Sequence, residues 1–397
     1  MNHFRFHVST DIRFGSGQLK HLPDVLAEYG KRVLLTYGGG SIKQFGLYDE
    51  VIKLLNDHDF HVIELSGIEP NPRIESVYEG VALIREHQLD VILAVGGGSV
   101  VDASKVMAAG VYYEGDAWDL MLDPSKVGRA VPLVDVLTLA ATGTEMNRNA
   151  VITNFKTREK LGTRGWELLP KASFLDPTHT FTVSAYQTAA GVADTLSHLF
   201  EQYFNRTTGV AVQNNMAEGL MKAVFKYGPI ALEHPTDYEA RANLLWASTL
   251  ALNGLTSAGK TGGWTCHPIE HVWSAYYDIT HAIGLAILTP RWMKYCLEMD
   301  PTTLPYFATY GRNVFGMIEK SDEVVAYQAI KKTYHFFKDD MKIPMTLPEV
   351  GIETDELVDQ MSAQAVDGKL DGAHPFVTLT AKDVATITLA CFSPMTL

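Results

Sequence analysis

Arg32–Ser41 reads RVLLTYGGGS, and Asp90–Ser99 reads DVILAVGGGS. Each begins as an apolar run of strand length and ends in three glycines and a serine. Helical spacing follows both: Ile42, Leu47, Val51 and Leu55 after the first, Val100–Ala109 after the second. A strand without polar alternation is buried on both faces, as in a parallel sheet covered by helices. Between the two lie another strand, HVIEL (His61–Leu65), a loop, SGIEPNP, and a helical stripe at Ile74, Val77, Val81 and Ile84. AVPLVDVLTLA (Ala130–Ala140) is a further buried strand. Strands alternating with helices predict an α/β domain with a parallel sheet over residues 1–183.

Beyond Val183 helical stretches follow one another: 184–204, 211–227, 238–256, 267–276, 281–298, 322–339 and 381–391. Their separators are turn-like: YGPIALEHPTD, AGKTGG and MDPTTLP. An all-helical second domain is expected over 184–397. At 397 residues the chain is too long for one typical core. The doubled GGGS is a local feature, not a solenoid repeat.

The chain carries 46 acidic against 33 basic residues, a formal charge of −13. With no basic run, that surface repels nucleic acid and anionic lipid. Three widely spaced cysteines imply no disulfide framework. The start, MNHFRFHVSTDIRFGSG, lacks a signal-peptide core, and no apolar run approaches the roughly 20 residues that span a bilayer. The cytoplasm is the expected location.

Two glycine-rich strand–helix turns in one α/β domain favour a phosphate-rich ligand, because glycine lets the backbone approach it and helix N-termini attract phosphate. Neither turn fits G-x-G-x-x-G. The first also lacks the acid that selects a ribose 2′-hydroxyl, and Lys43 is close, so the phosphorylated nicotinamide cofactor, NADP(H), is expected ahead of NAD(H). Asp102 either orients the second loop or is an ordinary first-turn acid. TLAATGTEMNRNAVITN offers Thr138, Thr142, Thr144 and Asn147, either to a ligand or as a polar turn.

GVADTLSHLFEQ (Gly191–Gln202) places Asp194 and His198 four apart among apolar neighbours, hence on one helix face. GGWTCHPIEHVWSAYYDITHAIGLAI (Gly262–Ile287) then holds His267, His271 and His281. His267 and His271 share a face, with Pro268 in the first turn. His281 opens the next helix. One such pair alone is a common ion pair; an Asp with several histidines on adjacent apolar helices points to a divalent transition metal with a position open for substrate. Fe²⁺ and Zn²⁺ both accept that donor set. Cys266, adjacent in sequence and so turned about 100° away, is read as packed. Trp264, Trp273, Tyr276 and Tyr277 either wall an apolar pocket or pack the helices.

With FGSGQL, both GGGS loops, EPNP, GVADTLSH, HPIEH and HAIG, the chain resembles the iron-containing (group III) alcohol dehydrogenases over almost its whole length. Within them it is most similar to the NADPH-dependent butanol dehydrogenase and aldehyde reductase branch. The resemblance implies a metal-dependent oxidoreductase that interconverts primary, butanol-like alcohols and aldehydes with NADP(H). It implies Asp194, His198, His267 and His281 as ligands to one Fe²⁺ or Zn²⁺, and His271 as the unliganded histidine near the nicotinamide, where an imidazole that titrates near neutral pH is expected to relay a proton. It implies cofactor contacts at Gly38, Gly39, Ser41, Asn71, Gly97, Gly98, Ser99, Asp102, Thr138, Thr142, Asn147 and Lys160, and a homodimer paired through the N-terminal segments. The family often reads P-T-T-x-x-T-G where this chain has Leu137 and Leu139, so residue 139 offers no hydroxyl. Glycerol or polyol dehydrogenases are rivals within the same reaction type. A dehydroquinate-synthase-like lyase would need cations for its substrate, and none falls within the histidine cluster.

Overall fold

The computed structural model describes residues 1–367, 370 and 375–396. Among them, eight strands form: β1 (Asp11–Phe14), β2 (Arg32–Tyr37), β3 (His61–Leu65), β4 (Val91–Gly96), β5 (Leu133–Leu137), β6 (Asn149–Asn154), β7 (Glu159–Arg164) and β8 (Ala172–Leu175). Six make one all-parallel sheet in the order β1-β8-β5-β4-β2-β3, and β6 with β7 forms an antiparallel hairpin. The sheet's side chains divide by alternation. Leu34, Ile92 and Ala94 join the helices Ile74–His87 and Gly98–Gly110 in one core. Val33, Leu35, Leu93, Val95, Val134 and Val136 join the Leu47–Asp57 helix in the other. Burial on both faces explains why these strands are apolar throughout.

The chain order reverses between β2 and β4, because β3 lies outside β2 and β5 outside β4. Tyr37 pairs with Val95, so the two glycine loops leave neighbouring strands side by side at their C-terminal ends. Open α/β sheets bind ligands at such a switch point.

Two compact units form: His7–Ser184 with Pro235–Asn253, and Met1–Phe6 with Ala185–His234 and Gly254–Leu397. The main division falls between Ser184 and Ala185, while two short segments join the unit that is not continuous with them. In the helical unit Ala185–Tyr203 is buried from Thr188 to its end. It packs against Ala211–Glu233 and His281–Met299. A helix buried on all sides explains why its few polar residues stand out in the sequence. Among the described residues no helix is long and apolar enough to cross a membrane.

Some elements differ from the sequence expectation. The 211–227 helix runs on to Glu233 through Pro229; a proline removes one backbone hydrogen bond, and this helix continues past it. MDPTTLP is a helix start, not merely a separator. Asp300 accepts the amide of Thr302, Pro305 sits in the first turn, and the Leu304–Phe315 helix follows. The Val358–Val366 helix, the β6–β7 hairpin and the four-residue strands β1 and β8 are also additions.

Leu93 is fully buried in β4. Leu93→Ala is expected to lower unfolding free energy by about 2–5 kcal/mol, measured by urea denaturation; a loss well below about 1 kcal/mol would contradict the packing described.

Candidate active site

Asp194 and His198 project from one face of the Ala185–Tyr203 helix, with His198 Nε2 3.7 Å from Asp194 Oδ1. His267 lies in the first turn of Cys266–Tyr277, and His281 opens His281–Met299. His281 Nε2 is 4.0 Å from the same Asp194 oxygen. One ligand atom each from Asp194, His267 and His281 lies within 4.8 Å of the others. The His198 ring stacks on His267 at 4.9 Å between centroids. Donor atoms of Asp194, His267 and His281, from three helices, therefore converge, with the His198 ring lying against them, and donor atoms of Glu270, His271 and His281 form a second such group within 4.8 Å of one another. A tetrahedral ion with bonds near 2.0–2.1 Å needs donors about 3.3 Å apart, slightly closer than the separations found.

The electrostatics at His198 suit lone-pair donation. Burial, with His267 and His281 nearby, pushes the His198 proton affinity far down, which keeps the ring neutral. Burial also opposes a proton on His267, but the Glu201 carboxylate overrides it and the net direction is upward. His267 Nδ1 meets Glu201, and the remaining nitrogen, Nε2, is buried with no hydrogen-bond partner among the described residues. A buried polar atom left in that state suits an ion as its partner.

His271 stands one turn beyond His267. Its ring centroid is 5.1 Å from that of His281 and 6.1 Å from that of His267. It is partly exposed, unlike the buried His198 and His267. Trp264 presents its ring edge-on to both His198 and His267. Trp273 is buried core, and Tyr276 donates to Gln364, so those two pack the helices.

In the α/β unit, Gly38, Gly39 and Ser41 follow β2, and Gly97, Gly98 and Ser99 follow β4. Gly40 holds φ at +106°, which only glycine adopts readily. A Cβ on Gly98 would lie 2.4 Å from Thr142 Oγ1, so glycine is required for that approach. Thr138 donates its amide to the Gly96 carbonyl across the strand ends. Asp102 does not cap its own helix. Its two carboxylate oxygens accept the Thr144 hydroxyl (2.5 Å) and the Val151 amide (2.9 Å), tying the second glycine loop's helix to the 138–151 segment. Asn147 is buried, donates to the Gly143 carbonyl and accepts from the Asn149 amide. Asn71 and Lys160, 89 positions apart, meet through a 2.8 Å hydrogen bond from the Lys160 ammonium.

Three side chains in these sites had no place in the sequence reading. Lys105 is fully buried and donates to the carbonyls of Thr144 (2.7 Å), Asn147 (2.8 Å) and Asn149 (2.8 Å). Burial brings its ammonium down to about 8, against the pull of Asp102, Asp135 and Glu145. Glu201 and Glu270 contact His267 and His281 respectively. A usable signal existed for both. Glu201 is seven residues after Asp194 and three after His198, on the same helix face, and Glu270 is three after His267.

Residues 9–177 match the family model described as iron-containing alcohol dehydrogenase, and residues 188–392 match the C-terminal model of the Fe-containing alcohol dehydrogenase family. The chain is similar to NADH-dependent butanol dehydrogenase A of Clostridium acetobutylicum, at 50% identity over 97% of this chain and 98% of that protein. It is similar to the NADPH-dependent aldehyde reductase YqhD of Escherichia coli, at 37% identity over 89% of this chain and 90% of that one. The crystal structure of NADH-dependent butanol dehydrogenase A from Thermotoga maritima superposes with a TM-score of 0.93, at 38% identity and 99% coverage of both chains.

Lys105→Met removes the donor shared by three carbonyls, two of them buried, and takes away a cation that Asp102, Asp135 and Glu145 share. It is expected to cost about 3–5 kcal/mol of stability, read from urea unfolding of the variant beside the parent; an unchanged midpoint would contradict the role given to this ammonium.

Proposed function

Because the chain belongs to the iron-containing alcohol dehydrogenase family, we propose that Asp194, His198, His267 and His281 hold its divalent ion and that His271 handles the proton of its reaction. The protein is an NAD(P)-dependent oxidoreductase that interconverts alcohols and aldehydes. The observation that carries the site assignment is the convergence of Asp194, His267 and His281 from three helices, with the His198 ring stacked on His267 and its Nε2 3.7 Å from Asp194. That donor set suits Fe²⁺ or Zn²⁺, and the partnerless His267 Nε2 fits an ion as well.

When bound, the divalent ion supplies Lewis-acid polarisation of the carbonyl, and the nicotinamide supplies or accepts the hydride. The remaining work falls to side chains of this chain. His198, kept neutral by burial, offers a lone pair without competition from a proton. Trp264 shields the His198 and His267 rings from water. His271, beside the ligand set and partly open to solvent, exchanges a proton at the substrate oxygen with water, a task suited to an imidazole near neutral pH. The substrates proposed are primary, butanol-like alcohols and their aldehydes, in line with the names of the relatives.

The cofactor contacts proposed are Gly38, Gly39, Ser41, Asn71, Gly97, Gly98, Ser99, Asp102, Thr138, Thr142, Asn147 and Lys160. NADP(H) is proposed ahead of NAD(H). The first loop leaves room for a 2′-phosphate, and the Lys43 ammonium stands 4.3 Å over the Tyr48 ring and 4.9 Å over that of Tyr37, close by in sequence. A homodimer is proposed as well, because among the described residues β1 pairs on one side only, with β8, and its outer edge is open. The buried, reduced Cys266, Cys296 and Cys391 accord with a cytoplasmic location.

His271→Ala is expected to lower turnover by about 10²-fold or more while metal content by elemental analysis stays at the parent level; loss of metal would make His271 a ligand and overturn the assignment. With butanal as substrate, kcat/KM is expected to be higher for NADPH than for NADH, and Lys43→Ala to reduce only the NADPH value. A higher value for NADH would refute the cofactor preference alone.

A further inference from the structure

Two carboxylates stand directly behind the histidines, and the chemistry of alcohol oxidation does not itself require either. Glu201 lies on the Ala185–Tyr203 helix and is almost completely buried. One of its oxygens accepts the backbone amides of Thr265 and of Cys266, the latter at 2.6 Å. The other accepts the amide of His267 at 3.2 Å and meets His267 Nδ1. The Cys266–Tyr277 helix has no side-chain cap from its own N-cap residue, Thr265. Glu201 takes that place from another helix, satisfying three amides and setting a negative charge against the positive end of the dipole. The same carboxylate thus fixes both the backbone and the ring of His267.

Glu270 repeats the arrangement one helix further on. It lies on Cys266–Tyr277, accepts the Ser274 hydroxyl and meets His281 Nδ1. Its side chain is completely buried. A Cβ on Gly284 would fall 2.7 Å from Glu270 Cγ, so the glycine in HAIG makes room for this carboxylate. The arrangement is sequential. A carboxylate on the first helix holds the histidine of the second, and a carboxylate on the second holds the histidine of the third.

A neutral imidazole carries one proton on two nitrogens. A carboxylate at Nδ1 fixes that proton there and leaves the Nε2 lone pair for an ion. Each carboxylate also places a negative charge one ring away from that ion. We propose that Glu201 and Glu270 are positioning residues that set the tautomer and orientation of His267 and His281 and thereby determine how tightly the divalent ion is held. This rests on the metal assignment proposed above.

The test is Zn²⁺ affinity of the full chain, measured by competition with a chromophoric chelator, for the parent and for Glu201→Gln, Glu270→Gln and Asp194→Asn. The parent is expected to bind one equivalent, and Asp194→Asn to lose most of that affinity. Each glutamine variant is expected to bind roughly 10–100-fold more weakly. Because Glu201 also caps a helix, its variant can fail to fold. Glu270 stands inside its own helix, and a glutamine carbonyl there still accepts the Ser274 hydroxyl, so Glu270→Gln decides the matter, with circular dichroism showing a folded metal-free protein. If Glu270→Gln retains parental affinity while Asp194→Asn does not, the positioning role is overturned and the metal site stands. If the parent binds no Zn²⁺, or Asp194→Asn binds it equally well, the metal site itself fails and the positioning role with it.

Discussion

Everything chemical in the helical unit depends on one constraint: a carboxylate and three imidazoles, all but His281 buried, must be kept close together with nothing but helices to hold them. Burying Asp194 and His198 on one helix face costs free energy unless each finds a partner. The packing of three apolar helices supplies the confinement, and a cation would supply the compensation. His267 shows the logic most clearly. One nitrogen meets a buried carboxylate, and the other is buried with no partner among the described residues. That arrangement is what the proposed ion would complete.

The α/β unit solves a different problem with different means. The cofactor site proposed there is a place where side chains are absent. Parallel strands β2 and β4 end together at the point of chain reversal, and glycines there leave backbone amides open to a phosphate. Underneath, the polar ties are dense. Asp102 and Lys105 rise one turn apart from the same helix and between them hold Thr144, Asn147, Asn149 and Val151. The 138–151 segment is thus braced against that helix by two opposite charges.

Much of this was legible in the sequence, for physical reasons. Strands buried on both faces are apolar without alternation, so β2, β4 and β5 declared themselves, and the two GGGS turns fall at the switch point between β2 and β4. Histidines on apolar helices are costly, so 198, 267 and 281 stood out. Other elements left too little trace. β1 and β8 are four residues long and carry little pattern, and β1 is half exposed at the edge. The Leu304–Phe315 helix was hidden behind prolines that begin it. Glu201 and Glu270 escaped despite their spacing from His198 and His267, because glutamate is ordinary on a helix surface and its burial here comes from the neighbouring helices. Lys105 escaped likewise: its acceptors are carbonyls 39 to 44 positions away, which no local spacing reveals.

The most direct measurement of the central claim is X-ray absorption at the metal edge of the purified, metal-loaded protein. The account predicts only nitrogen and oxygen neighbours near about 2.0–2.2 Å, with the outer-shell scattering of three imidazoles. A sulfur shell near about 2.3 Å, or fewer than three imidazoles, would contradict it.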